Sequence, residues 1–483
     1  MMPVLYPMSK RICLAQQAAL ALQHYCTEAG LTLLASEWWH FNELDTRSRV
    51  LDNLSTGGYQ IQPVPEYRPL KGDPVMEAKY QLNTAENRSF LAEMRQELLD
   101  FGRRFPSPGG GSHYLGDDGT PWPEKGQETW ITSRMAHVYS IGAMLGDAGS
   151  PSLADAAIGG LRGELRDSAH AGWYAGLNAD GSVMPTKQCY AHAFVILAAS
   201  SALLAGRAGA EQLLDDALAV YDLRFWDEAQ GLSRDTWDTD FTVLDSYRGL
   251  NANMHSVEAF LAAADATGRE EYRVRAGRII DRVLVWAEQS SWRIPEHFSE
   301  YWVPLPELNR DRPDDPFKPY GATPGHGIEW ARLITQWALS ADRKKAAPYI
   351  EAAQQLYTTA IKDAWNADGT PGLVYTTDWT GSPVVHDRMH WTLAEAINTS
   401  AVLHQVTGRV EYAEDYARFM AYLDEKVWDR RNGSWFHQLD RENRPLGTVW
   451  PGKPDLYHAF QATLIPYLPP EVSIASAVHR AAR

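Results

Sequence analysis

Asn251-Ala-Asn-Met-His-Ser-Val-Glu-Ala-Phe-Leu-Ala-Ala-Ala-Asp-Ala-Thr-Gly-Arg269 runs directly into Glu270-Glu-Tyr-Arg-Val-Arg-Ala-Gly-Arg-Ile-Ile-Asp-Arg-Val-Leu284. Read as helices, the two halves differ. The first is built of small and apolar residues without a charged face, which suits a helix enclosed on both sides, and it opens on Asn251, Asn253 and His255. The second places Tyr272, Ala276, Ile279 and Val283 on one stripe with charges opposite, the pattern of a helix with one face in water. Gly268 stands between them, where the first helix must stop and turn. The stretch describes one helical hairpin, an inner helix followed by an outer one.

The same unit returns along the chain. Its inner-helix starts are Glu128-Thr-Trp-Ile-Thr-Ser-Arg-Met-Ala-His137, Gln188-Cys-Tyr-Ala-His192, Asn251-Ala-Asn-Met-His255, Gly325-His-Gly-Ile-Glu-Trp330, His390-Trp-Thr-Leu-Ala-Glu395 and Asp455-Leu-Tyr-His458. The six histidines are separated by 55, 63, 71, 64 and 68 residues, room for two helices and two turns each. Gly206 and Gly408, each followed by arginine as Gly268 is, mark further turns. Three stretches, Gly172-Trp-Tyr-Ala-Gly-Leu-Asn-Ala-Asp-Gly181, Gly372-Leu-Val-Tyr-Thr-Thr-Asp-Trp-Thr-Gly381 and Gly433-Ser-Trp-Phe-His-Gln-Leu-Asp440, alternate apolar and polar residues before a turn signal. They read as short β-hairpin loops over one mouth. The expected fold is all-α, an (α/α)6 barrel of six helical hairpins over residues 79–483; a closed ring is favoured over an open solenoid because the inner histidines then share one pocket.

Residues 1–78 lack the unit and read as a short appendage ending in a proline-rich linker over residues 60–74, and the first barrel helix is expected at 85–101. The chain of 483 residues carries 61 acidic and 45 basic side chains, a formal charge of −16, which opposes nucleic acid or an anionic membrane as partner. No stretch is apolar for the roughly 18 residues a membrane helix needs, and the segment after Lys10 and Arg11 is broken by Gln16, Gln17, Gln23 and His24; a cytoplasmic location is expected. Cys13, Cys26 and Cys189 make neither a disulfide framework nor a metal knuckle. The 18 tryptophans, 22 tyrosines and 15 histidines suit the faces and hydroxyls of a sugar, although a large helical core also uses aromatics.

His326 and Glu329 are three residues apart and so share a helix face, where the carboxylate can orient the imidazole and tune it. With His458, His255, Asn251 and Arg134 converging on one cavity, the set suits moving a proton between adjacent carbons of a polyol: a neutral histidine takes the proton beside a carbonyl, and an acid protonates its oxygen. Return of the proton to the neighbouring carbon is isomerisation; return to the other face of the same carbon is epimerisation. Two rival chemistries use the same residue types. A glycosidase needs a carboxylate pair, which Asp245, Glu296, Asp378 or Glu395 can offer. A metal site is disfavoured, since no HExxH is present and the histidines come one per unit.

Trp130-Ile-Thr-Ser-Arg-Met-Ala-His-Val-Tyr139, Gly172-Trp-Tyr174, Asn251 to Phe260, Glu296-His-Phe298, Thr323-Pro-Gly-His-Gly-Ile-Glu-Trp330 and Asp455-Leu-Tyr-His458, in that order, resemble the N-acylglucosamine 2-epimerase superfamily and within it the aldose-ketose isomerase branch. The resemblance runs from about residue 83 to the C-terminus. It implies an (α/α)6 barrel, no cofactor, a free monosaccharide as substrate, and His326 and His458 as the acid/base pair working through a cis-enediol. It further implies Arg134, Asn251, His255, Glu329 and Trp391 as residues that contact sugar oxygens or orient the pair, with Trp130 and Tyr190 walling the pocket. Mannose and its 2-ketose fructose are the implied pair, with lyxose or glucose as further aldoses; His437 and Pro454 stand where sulfoquinovose-acting relatives carry glutamines, which moves the expectation from a sulfosugar to a neutral one. In the appendage, Ser36-Glu-Trp-Trp-His-Phe-Asn42 resembles the C-terminal end of D-alanyl-D-alanine dipeptidases, with Glu37 and His40 matching a catalytic base and a zinc ligand. The remaining ligands of that family are absent, so a non-functional remnant is expected.

Overall fold

The computed structural model describes residues 76–482. The dipeptidase-like segment and the proline-rich linker lie outside the described residues. In chain order, α1 (Ala85–Gly102) is followed by five hairpins: α2 (Thr129–Met144) with α3 (Ser150–Arg162), α4 (Cys189–Leu204) with α5 (Ala210–Arg224), α6 (Leu250–Thr267) with α7 (Glu270–Gln289), α8 (Pro324–Ala338) with α9 (Arg343–Ala364), and α10 (His390–Thr407) with α11 (Val410–Tyr422). Then come α12 (Tyr457–Ala462) and α13 (Ile474–Ala481). The even-numbered helices pack successively, and α12 returns to α2, so the inner ring is closed.

The sixth hairpin is made by the two ends of this region. α1 packs behind α12, and Arg95 Nη1 donates to Thr463 O at 3.0 Å. Composition sorts the helices into rings. In α4 the run Phe194, Val195, Ile196 and Leu197 is buried on every side, each side chain adding about 1.5–3 kcal/mol of gross burial energy. A single Ile196→Asp substitution would place an unpaired charge there. In α7, by contrast, Tyr272, Ala276, Ile279 and Val283 are buried while the arginines between them reach water. Gly268 and Gly408 end α6 and α10 in the left-handed conformation, with φ of 74° and 70°. α13 lies against α2, α4 and α6, with Ser473 Oγ donating to Asp265 near the C-terminus of α6, so it covers the end opposite the mouth.

The mouth is held by a repeated device. The extended residues that enter each inner helix pair with the loop of the next unit: Glu128 with Gly176, Thr186–Gln188 with Thr236–Asp238, Arg248–Gly249 with His297–Phe298, Ala322 with Thr377, and Arg388–Met389 with Gln438–Leu439. Lys453 N donates to Leu115 O and closes the circle. All three expected hairpins form: Thr376–Thr377 pairs with Pro383–Val385, Leu177 with Val183, and Leu439 with Pro445. The loops fold back on themselves as expected and are joined between units as well. The reason for that joining is positional, because each strand leads straight into an inner helix and its free edge faces the neighbouring unit.

A second repeat pins the loops that follow the outer helices. Asp167, Asp227, Asp368 and Asp429 each accept backbone N–H groups two or three residues on, and each takes a cation from the chain leading toward the next inner helix: Lys187, Arg234, Arg388 and Lys453. These pairs position the mouth.

Candidate active site

At the mouth, the N-terminal turns of the inner helices and their loops enclose an open cavity of about 640 Å3. Trp130, Arg134, Tyr190, Asn251, His255, His326, Glu329, Trp391 and His458 all line it. Two of the six repeat histidines do not. His137 lies eight residues into α2, about 12 Å below the helix start at 1.5 Å per residue, where its Nδ1 meets Ser201 Oγ at 2.7 Å. His192 starts α4 but turns sideways, and its Nε2 accepts from Trp173 N at 3.1 Å, anchoring the Gly172-Trp-Tyr174 loop. Asn253 is likewise structural, bridging Ser233 and Gly249.

His326 stands in the first turn of α8, and its Nδ1 lies 2.9 Å from Glu296 Oε1. The i,i+3 pairing with Glu329 read from the sequence does not form. Glu329 instead points toward His255 Nδ1 (3.9 Å) and Arg332 (3.5 Å), because the two side chains leave the helix in different directions while Glu296 approaches from the strand side. His458 repeats the arrangement on α12, with Nδ1 3.0 Å from Glu395 Oε1. A carboxylate only accepts, so each Nδ1 carries hydrogen and each Nε2 is left to meet a molecule in the cavity. Trp391 joins the two, stacking on His326 with centroids 4.9 Å apart and lying 6.0 Å from His458. Gly325 permits this: a Cβ there would stand 2.7 Å from the Trp391 ring.

Glu296 and Glu395, offered by the sequence as a glycosidase pair, thus serve the histidines. Asp245 and Asp378 are turn formers, accepting from Tyr247 N and from Thr380 N and Ser382 N. Among the described residues no unengaged carboxylate pair flanks the cavity.

Arg332, which the sequence reading missed, organises the floor. It is buried, with Nε 2.6 Å from Glu395, Nη2 3.5 Å from Glu329 and Nη1 3.8 Å from Glu258. Burial and the neighbouring Glu395 push the Glu329 carboxyl well above its usual range, and it holds the proton of the pair, since Glu395 takes both Arg332 Nε and His458 Nδ1. Glu258, despite burial, is held well below the usual range by His255, Arg332 and Tyr457, whose hydroxyl donates to it. Burial pushes His458 well below 6.5 and His255 down to about 4, so both rings are neutral. Two triads, His255/Glu258/Glu329 and Glu329/Glu395/His458, have ligand-type atoms within 4.8 Å of one another, but the Arg332 guanidinium already sits among their carboxylates and would repel a second cation.

On the opposite wall Arg134 donates to Asp455 Oδ2 at 3.1 Å and to Tyr190 Oη at 2.9 Å, and lies over the rings of Phe194, Trp130 and Tyr457 at 4.5–4.7 Å. Asn251 Oδ1 is buried without a protein partner. His390 and His437, the latter read from the sequence as a substrate-discriminating position, complete the wall as a stacked pair with centroids 3.7 Å apart; burial pushes His390 down to about 4 and, with His390 beside it, His437 well below 6.5. His390 was visible in the repeat, and nothing in the sequence announces its stacking on a loop 47 residues later.

Two carboxylate-oriented imidazoles facing one water-accessible, aromatic-walled cavity define an acid/base enzyme of the α/α-barrel class. The chain belongs to the N-acylglucosamine 2-epimerase (GlcNAc 2-epimerase) family, whose model matches residues 110–462. It is 43% identical to D-mannose isomerase of Thermobifida fusca over 398 residues, covering 82% of this chain and 97% of the relative. With D-mannose isomerase of Pseudomonas cannabina pv. alisalensis it shares 44% identity over 357 residues, 72% of this chain and 85% of the relative. A crystal structure of D-mannose isomerase superposes with a TM-score of 0.72 at 26% identity, covering 78% of this chain and 96% of that one.

Proposed function

We infer that the protein is an aldose-ketose isomerase that interconverts D-mannose and D-fructose through a cis-enediol. The observation that carries the reading is the pair His326 and His458, each with Nδ1 on a buried carboxylate and both against Trp391. His458, neutral with its Nε2 lone pair free, takes the proton from C2 of the open-chain aldose. The electron pair of that C–H bond forms the C1=C2 bond, and O1 takes a proton from a neutral acid, a role Glu329 suits. The same imidazolium returns its proton to C1 as the ionised Glu329 carboxylate takes the proton from O2, leaving the 2-ketose and restoring both groups; atoms and charge balance without an external oxidant. His326 moves the hydroxyl proton that opens and closes the pyranose ring. No step uses a metal or a cofactor.

Arg134, Asn251 and His255 hold the sugar oxygens, and Trp130, Tyr190 and Trp391 cover its apolar faces. A neutral hexose fits better than a sulfosugar. Among the described residues lining the cavity, Arg134 is the only arginine or lysine and Asp455 balances it, while the histidines near Pro454 are uncharged. The substrate is a free monosaccharide, and the net charge of −16 fits a cytoplasmic enzyme without nucleic-acid or membrane partners; among the described residues no helix is long and apolar enough to cross a membrane.

The test is proton NMR of EDTA-treated protein with mannose in D2O. Fructose with deuterium entering beside the carbonyl, and loss of turnover by at least about 10³-fold in His326→Ala and His458→Ala, is the expected result. Glucose as the first product would replace isomerisation with epimerisation, and no change in mannose, glucose or lyxose would overturn the reading.

A further inference from the structure

Residues 316–319 form part of the cavity rim, contributing Pro316, Phe317 and Pro319 to its lining. Phe317 is 45% exposed, and its ring stands edge-on to Trp450 with centroids 5.3 Å apart. This rim closes a long connection, residues 299–323, that contains no helix and no strand. Inside the connection Asp315 Oδ1 accepts from Phe317 N and Lys318 N and Asn309 Nδ2 donates to Lys318 O, while Ala322 pairs with Thr377 at its end.

At the rim itself His297 adds a hold from outside the connection. Its Nε2 lies 2.7 Å from Pro319 O, and its Nδ1 2.8 Å from Tyr247 Oη. A proline carbonyl only accepts, so Nε2 carries the hydrogen and donates, and Nδ1 accepts from the tyrosine hydroxyl. Lys318 Nζ, 3.8 Å from the Tyr247 ring centroid, adds a second hold on the same ring. Adjacent residues of a strand face opposite sides. Glu296 therefore turns to His326 while His297 turns to the rim, and the strand pairing of His297 with Gly249 fixes both.

We propose that His297 is a positioning residue that latches residues 316–319 over the cavity, so that Phe317 closes on the bound sugar. The kinetic part rests on the isomerase reading above; the structural part does not. The experiment compares His297→Ala, His297→Gln, Tyr247→Phe, Phe317→Ala and the double variant His297→Ala/Phe317→Ala. Hydrogen exchange at residues 305–320 is measured without ligand, and KM and kcat are measured with mannose. His297→Ala should speed exchange there and raise KM about tenfold with kcat within about threefold, the scale of one lost hydrogen bond. His297→Gln, whose amide reaches the carbonyl, should recover most of that, and Tyr247→Phe should show a smaller loss while keeping the half-buried ring. In the Phe317→Ala background the His297 effect on KM should vanish. Unchanged exchange in His297→Ala and Tyr247→Phe, a fall in kcat at constant KM, or additive KM effects in the double variant would each overturn the latch. If the wild type does not turn over mannose, the isomerase reading falls and the exchange result alone decides the latch.

Discussion

Glu395→Gln perturbs both partners of the proposed proton transfer, changing what His458 Nδ1 meets and removing the charge that helps keep Glu329 protonated. In the native protein Glu395 accepts from His458 Nδ1 at 3.0 Å and from Arg332 Nε at 2.6 Å. Glutamine keeps the shape and one acceptor. Arg332, the stronger donor, takes the amide oxygen, which turns the NH2 group toward His458 Nδ1. That ring must then accept at Nδ1 and carry its hydrogen on Nε2, the tautomer that cannot remove a proton. The lost charge-assisted hydrogen bond is worth about 1.5–3 kcal/mol. At about 1.4 kcal/mol per tenfold, kcat should fall by roughly ten- to a hundredfold, with KM little changed.

The fold should survive the substitution. Glu329 holds a proton in part because Glu395 is charged; without that charge it ionises and takes over as partner to Arg332. Initial-rate measurements of fructose formation, with a thermal melt followed by circular dichroism, check both halves. A kcat within threefold of wild type refutes the tautomer argument, and a collapse of the melting temperature refutes the charge compensation.

Glu296→Gln should lower kcat on the same scale through His326, read by the same assay. The acid limb of the kcat/KM profile set by His458 should fall below pH 6.5, because a base depressed by burial stays unprotonated until pH drops through its lowered value; a limb at or above 6.5 counts against His458 as the base. His137, His255 and His390 are each held neutral by burial, at about 4 against 6.5. The unfolded chain binds more protons in that window, so stability should fall by about 1.4 kcal/mol per pH unit for each ring between pH 6.5 and about 4, measured by urea unfolding. Arg134→Lys keeps the charge but not the fork that reaches both Asp455 and Tyr190, and should raise KM for mannose by about tenfold with a smaller effect on kcat.

The repeat and its histidines were legible because period and polarity are written locally. A helix packed on both sides cannot carry a charged face, and a helix with one wet face must. The turn glycines Gly268 and Gly408 followed from the same reading. The device that pins the loops was also present in the sequence, as Trp226-Asp227 and Trp428-Asp429 ahead of Lys or Arg, yet an Asp reads as an ordinary turn former until its cation is seen. The pairing of His326 failed for a related reason. Spacing of three residues places two side chains on one face, and here a strand from the preceding unit reaches the ring first.

From sequence alone followed the number of hairpins and which helices face inward, since amphipathic period is a property of contiguous residues; of the nine side chains that line the cavity, Trp130, Tyr190 and Trp391 came only from the family resemblance, and the positional reading also offered His137 and His192, which do not reach it. The tertiary structure alone decided who partners whom. Arg332 among three glutamates, Glu395 on His458 across 63 positions and His390 stacked on His437 are contacts between units, and their proton positions depend on the burial and charge that only ring closure creates.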